Sequence, residues 1–391
     1  MREKALSECC EYTGEGNAAP SVKVRDSNLE LLRIAAMLLI VAHHYVVNSG
    51  LMAADGWIYN DPLSWRSLFL LVFGAWGKIG INCFVMITGY FMCTSKITAK
   101  KFMKLFLEVK FYIIVINSIL WLTGYESFTL AGVLKVLIPI TTISNDFLNA
   151  FLMFYLLIPF LSILVRHLTE KQHVYLLLWC GFVYIFLGTV PGLSVKMNYV
   201  SWFSVVFVIA SYIRLYPKAR NQNRRVWAWL TMVFVLLCAV SVIACAWLSA
   251  KTGRRLAFRF VSDSNTFLAA ATGVCLFMLF KNLNIRYSKF INTAAASAFG
   301  VVLIHANSDA MRRWLWVDTI DAVGHYHAPL MPLYAVSCVV AIYIACALID
   351  QLRIRLIEKP FFHLWDRHWG DFLAWYKTLE SKVFAKMKVQ E

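Results

Sequence analysis

Apolar residues in this chain come in long runs rather than at alternating positions. The runs cover 28–48, 67–93, 105–123, 147–165, 173–190, 199–213, 226–249, 264–280, 292–306 and 330–350. A helix needs about 20 apolar residues to cross a bilayer. The pattern therefore predicts an all-α integral membrane protein, a bundle of about ten transmembrane helices. Runs 199–213 and 292–306 are short and need to extend or tilt. Segment 131–143 holds Pro139 and is too short to cross alone, so a re-entrant or lumen-facing piece is expected there. After Pro360, residues Phe361, Trp365, Trp369, Phe372, Tyr376 and Leu379 recur at helical spacing with basic residues between them. That suits a C-terminal helix lying in the membrane interface. The expected organisation is a flexible cytoplasmic tail over 1–27, a transmembrane domain over 28–359 and an amphipathic interfacial tail over 360–391.

Composition sharpens the class. The chain is 60% hydrophobic and 15% charged, against about 45–50% and about 25% for a soluble domain. Its net charge of +16 would suggest nucleic acid on a soluble protein. Here the basic residues fall between apolar runs, so the positive-inside rule accounts for them, membrane lipids are the expected surroundings, and no nucleic-acid partner is expected. With the N-terminus in the cytoplasm, Lys96, Lys100, Lys101 and Lys104 lie inside, as do Arg220, Arg224, Arg225, Arg353 and Arg355; both termini are predicted cytoplasmic. The "KTGRRLAFRF" loop, 251–260, runs against the rule. Ten cysteines are scattered without metal-ligand spacing, so no metal is expected.

Polar residues inside the runs are the candidates for chemistry, because polar groups at membrane depth are expensive and commonly mark a site. The first run opens with "SNLE", a capping-box pattern in which Ser27 and Glu30 would close the helix start. Arg33 and His44 are eleven residues apart, which on a helix places them within about 20° of one face and about 16 Å apart along the axis. His43 points elsewhere and reads as structural. In "GAWGKIGINCFVMITGYFM", 74–92, glycines at three- and four-residue spacing permit close helix contact. Lys78, Asn82 and Thr88 add polar groups there. His305 ends a run on the outer side, and Lys101 and Lys104 share one helical face at the cytoplasmic surface.

Taken in order, these motifs resemble the acyltransferase 3 family of multi-span membrane O-acyltransferases. Arg33 and His44 meet its arginine, ten residues, histidine pattern. "GKIGINCFVMITGYF" is similar to its glycine-rich motif, with Thr88 in place of serine. "FLMFYLLIPFL", "AFGVVLIHAN" and "IEKPFF" resemble its tyrosine-rich span, its late histidine span and its closing Glu-Lys-Pro motif. The resemblance covers about residues 28–362. The chain departs from the pattern at "NDFLNAF", where Trp-Phe is usual, and at Lys101 and Lys104, where arginines are usual.

The resemblance implies an O-acetyltransferase that carries an acyl group from cytosolic acetyl-CoA to a hydroxyl of an exported or surface carbohydrate or glycolipid, in a bacterial plasma membrane. His44 would be the general base or a transient acyl carrier. Arg33 would stabilise charge on the donor side. Lys101, Lys104 and Lys78 would bind the donor, and Asn82 and His305 would orient a substrate. The alternative is a small-solute transporter, for example of an amino acid. Nothing in the sequence sets an oligomeric state.

Overall fold

The computed structural model describes residues 26–138, 147–190, 192–193 and 198–370. Their regular structure is helical, with no strand among the described residues. Seven helical stretches are long and apolar enough to cross a membrane, or eight if one bent pair is a single crossing. In chain order they begin with α1 (Ser27–Val47), the pair α2 (Trp65–Gly74) and α3 (Gly77–Met92), and α4 (Ala99–Leu122). A short helix, α5 (Leu130–Leu137), precedes α6 (Phe147–His167) and α7 (Glu170–Cys180), which continues through a π-helical turn to Thr189. Then come α8 (Tyr199–Leu215), α9 (Arg224–Thr252) and α10 (Phe267–Lys281). The bent stretch is α11 (Lys289–Ala296), α12 (Ala298–His305) and α13 (Asp309–Arg313), and α14 (Met331–Arg353) closes the bundle. Each predicted run contains a helix, but α8 and α10 have only 17 and 15 residues.

Side chains set the helix starts where the sequence offers an oxygen. Thr98, Thr129, Asn198 and Asn223 accept from backbone N–H groups at the starts of α4, α5, α8 and α9, and Thr169 with Gln172 forms a capping box on α7. The capping box expected at Ser27 and Glu30 is absent. The Ser27 hydroxyl donates to Asn292 and accepts from the Ser288 N–H, and Glu30 is taken by Arg33.

Helix α1 sits at the centre, packed against α2, α3, α10, α11, α12 and α14. Gly80 permits this: a Cβ there would lie 2.6 Å from the Ala36 carbonyl oxygen. Helices α7 and α9 are peripheral and present Trp179, Phe182, Trp229 and Leu236 outward, as suits contact with lipid. We call the end where α1 begins proximal and the opposite end distal. Helix α14 descends to the proximal end, where Asp366 beyond it pairs with Lys100 near the start of α4.

Two departures from the sequence expectation, with the expected short segment between them, shape the distal end. The run 67–93 is one span by composition but is broken at Ala75 and Trp76. The Gly74 carbonyl at the end of α2 accepts a hydrogen bond from His43 Nδ1 at 2.6 Å, which satisfies a group the break would orphan. Segment 131–143 yields α5, whose last carbonyls, Val136, Leu137 and Ile138, accept from the Lys110 ammonium at 2.7–3.3 Å. Lys110 lies twelve residues before the end of α4, about 18 Å down its axis. The end of α5 therefore lies alongside α4 well below its distal end, as a re-entrant piece does, with most of its side chains exposed; residues 139–143 of the segment lie outside the described residues. The stretch Lys289–His305 turns by 96° into Asp309–Thr319. At the other end, the last helix does not stop at Pro360. A π-helical turn at Ile354–Glu358 precedes the proline, whose ring would clash with an ordinary helical turn, and the helix runs on to Gly370. Of the expected interfacial tail and the 1–27 tail, residues 371–391 and 1–25 lie outside the described residues.

Candidate active site

A cavity of about 710 Å³ opens at the distal end between α1, α3, α4, α5, the start of α8 and the bend after α12. Its wall carries His43, His44, Lys78, Asn117, Tyr199 and Asn307 among others. Trp121 and Phe147 supply aromatic faces, and Glu126, Lys135, Asp309 and Arg312 bring charge.

His44 is the centre of a directed hydrogen-bond chain. His305, fully buried at the end of α12, has its Nδ1 2.6 Å from the Val301 carbonyl oxygen. A carbonyl only accepts, so His305 Nδ1 carries the proton and its Nε2 is bare. That Nε2 lies 2.9 Å from His44 Nδ1. Two bare nitrogens cannot bond, so His44 Nδ1 must donate. His44 is thereby held in the tautomer whose Nε2 keeps its lone pair, and no described residue bonds to that nitrogen. The Trp316 ring packs edge-on against His305 and fixes its plane.

His43 departs from the expectation that it faces elsewhere. It also lines the cavity while its Nδ1 holds the Gly74 carbonyl. The next helix makes room for it: a Cβ on Gly77 would lie 2.4 Å from the His43 ring.

The structure divides the remaining candidates. Lys78, grouped by sequence with Lys101 and Lys104, stands instead in the distal cavity and donates to the Tyr199 hydroxyl at 2.6 Å. Lys101 and Lys104 are at the start of α4, while Asn117 of the same helix lines the cavity. The thirteen residues from Lys104 to Asn117 span about 20 Å, so the three lysines cannot share one small ligand group. Lys101 donates to the Lys96 carbonyl at 2.8 Å, and Lys104 pairs with Glu358 at 2.6 Å.

Arg33 lies on the same stripe of α1 as Ile40 and His44 but does not reach the cavity. It pairs with Glu30 at 2.9 Å and sits over the Phe84 ring. Phe84 stacks on Phe299, both rings touch Phe151, and Phe151 stacks on Phe147 of the cavity wall. A run of ring contacts thus leads from the guanidinium to the cavity wall.

Asn82 is buried and does not line the distal cavity. It donates to the Ser264 and Ala269 carbonyls and accepts from the Trp202 indole N–H at 2.8 Å. It clamps α3 to α8 and α10.

Sequence reasoning missed two groupings. Asn117 and Asn307 meet at 3.3 Å across the cavity wall. At the proximal end, buried Arg353 bonds Asp350, Glu358 and Glu108 at 2.8–3.0 Å, with Tyr112 on Asp350. The closing Glu-Lys-Pro motif was the available signal for the second, since its Glu358 joins this cluster and holds Lys104.

No curated protein and no solved structure matches the chain. A family model described as an acyltransferase domain matches residues 26–350, most of the chain. With its membrane-crossing helices, the chain belongs to the acyltransferase 3 family of membrane acyltransferases.

Proposed function

We propose that the protein transfers an acyl group, acetyl in the first instance, from acyl-CoA to a hydroxyl of an exported or surface carbohydrate or glycolipid, with His44 as general base. The observation that carries this reading is the imidazole pair, which leaves Nε2 of His44, a residue of the distal cavity wall, with its lone pair and no described hydrogen-bond partner. Nε2 takes the proton of the acceptor hydroxyl as its oxygen attacks the thioester carbonyl carbon. A tetrahedral oxyanion forms. The carbon–sulfur bond then breaks, its electron pair leaves on sulfur, and the proton on Nε2 passes to the thiolate. Acyl ester and CoA thiol are released and His44 is neutral again. Throughout, His305 Nε2 accepts from His44 Nδ1 and steadies the imidazolium.

The lining supports a sugar-like acceptor: Trp121, Tyr199 and Phe147 offer faces, and Asn117, Asn307 and Ser308 offer polar edges. The basic residues at the proximal end support a cytoplasmic assignment of that end in a bacterial plasma membrane. Lys101 and Lys104 would meet the donor phosphates there, displacing Glu358 from Lys104. The acyl-bearing arm would then pass Arg33 and the Phe84, Phe151 and Phe299 rings. Arg33 on this reading acts on the donor along its route, not on the reacting carbon.

The test is transfer of labelled acetyl from acetyl-CoA in membranes containing the protein. His44→Ala is expected to cut it by about 10²- to 10⁴-fold at unchanged protein level. Transfer that survives His44→Ala but is lost in His43→Ala would move the base to the neighbouring ring. Solute uptake without transfer would favour a transporter.

A further inference from the structure

We infer that Lys78 is a catalytic residue of the same reaction, the cation that stabilises the oxyanion formed when the acceptor oxygen adds to the thioester carbonyl. The inference rests on the acyl-transfer reading above and assigns the electrophilic half of a site of which His44 is the basic half.

Lys78 lines the same cavity as His43 and His44. Its place is fixed from two sides. Gly77, next to it, is pressed against the His43 ring, and the Tyr199 hydroxyl accepts one ammonium proton at 2.6 Å. An ammonium has three donors, so two more can point at a ligand. No ion pair is made by Lys78 among the described residues; Lys135 of the same wall makes none either but is exposed on α5, whereas Lys78 is half-buried, and the remaining cations of interest are engaged. Arg312 on the same wall is paired with Asp309 at 2.8 Å, Arg33 with Glu30 and Lys104 with Glu358. Lys110 spends its charge on the end of α5. Glu126, the other carboxylate of the wall, sits on the exposed turn after α4. Lys78 is also the second residue of α3, at the positive end of that helix.

A half-buried cation without a counter-carboxylate, beside a neutral base, provides what acyl transfer lacks in the ground state. As the hydroxyl adds, the carbonyl double bond opens and its electron pair moves to oxygen. The ammonium donates to that oxygen, and the pair returns to carbon when the carbon–sulfur bond breaks. Lys78 keeps its proton throughout. A group that serves the developing charge acts on turnover more than on ground-state binding.

The experiment measures CoA thiol release from acetyl-CoA by purified protein in lipid nanodiscs, with water taking the acyl group as acetate, for wild type, H44A, K78M, K78R and Y199F. K78M is expected to lower kcat about 100-fold with KM for acetyl-CoA within about twofold of wild type. K78R should retain more turnover than K78M, and Y199F should lose less than K78M. A K78M protein with unchanged kcat overturns the inference. So does a K78M protein whose whole loss lies in KM, which would make Lys78 a ground-state anchor for an anionic substrate. Equal thiol release by wild type and H44A would instead overturn the acyl-transfer reading itself. Folding is checked by melting temperature and size-exclusion profile, and if K78M does not fold, Lys78→Gln reads the same loss of charge.

Discussion

His305→Leu is the substitution that isolates the tautomer argument. It removes the one described acceptor of the His44 Nδ1–H, at 2.9 Å, and the donor to the Val301 carbonyl, at 2.6 Å. His44 then keeps its ring but can turn about its side-chain bonds or carry its proton on Nε2, where it is useless as a base. Orphaning a buried hydrogen-bond partner costs about 1–3 kcal/mol. If that cost falls on the productive arrangement of His44, kcat drops by about 5- to 150-fold, since each 1.36 kcal/mol is tenfold. His305→Gln separates geometry from bulk: its carbonyl oxygen can accept from His44 and its amide can donate toward Val301. The assay is CoA thiol release from acetyl-CoA in nanodiscs, scaled to folded protein. His305→Leu is expected to fall within that range, and His305→Gln to recover much of the loss. A His305→Leu enzyme within about twofold of wild type, at equal folded yield, would refute the view that this hydrogen bond arms the base. So would a His305→Gln variant no better than the leucine one.

Two further outcomes concern groups away from the distal cavity. Asn82→Ala should lower the melting temperature, because the Trp202 indole N–H loses its acceptor at a cost of about 1–3 kcal/mol, while the KM for acetyl-CoA stays as it was; a shifted KM at unchanged melting would return Asn82 to the substrate. Arg353→Met leaves Asp350, Glu358 and Glu108 buried together without their shared cation, a loss of about 3–5 kcal/mol; thermal unfolding in detergent should show it, and an unchanged transition would mean the carboxylates are not held by that arginine.

The membrane architecture was legible because lipid imposes a length and an apolar run on each crossing. Local capping was less legible: the box read at Ser27 and Glu30 is absent, while the one at Thr169 and Gln172 forms. What stayed hidden depends on partners far away in sequence. The break at Ala75 and Trp76 lies within an unbroken apolar run, and it persists because His43 on another helix takes up the Gly74 carbonyl. Ser27 and Glu30 have the right spacing for a capping box, yet each finds a better partner. His305 was visible as a polar residue at the end of a run, but its bond to His44 joins residues 261 positions apart. Lys78 and Lys104 look alike in the sequence. Only the path of the chain puts one at the distal cavity and the other at the proximal end.

The first helix can keep both Arg33 and His44 in an apolar setting because the two meet the cost of burial differently. A buried charge needs a counter-charge and hydrogen bonds, and Arg33 finds both one turn earlier, in Glu30 at 2.9 Å. It needs no cavity, which accords with its packing on Phe84. His44 is tolerated as a neutral ring: one nitrogen donates to His305 and the other faces polar space. A guanidinium moved to position 44 would meet an imidazole at residue 305 in place of the carboxylate that Glu30 supplies at position 33. Arginine and histidine at this spacing are therefore two separately compensated residues on one stripe: the first is held by a carboxylate one turn away, the second by another imidazole.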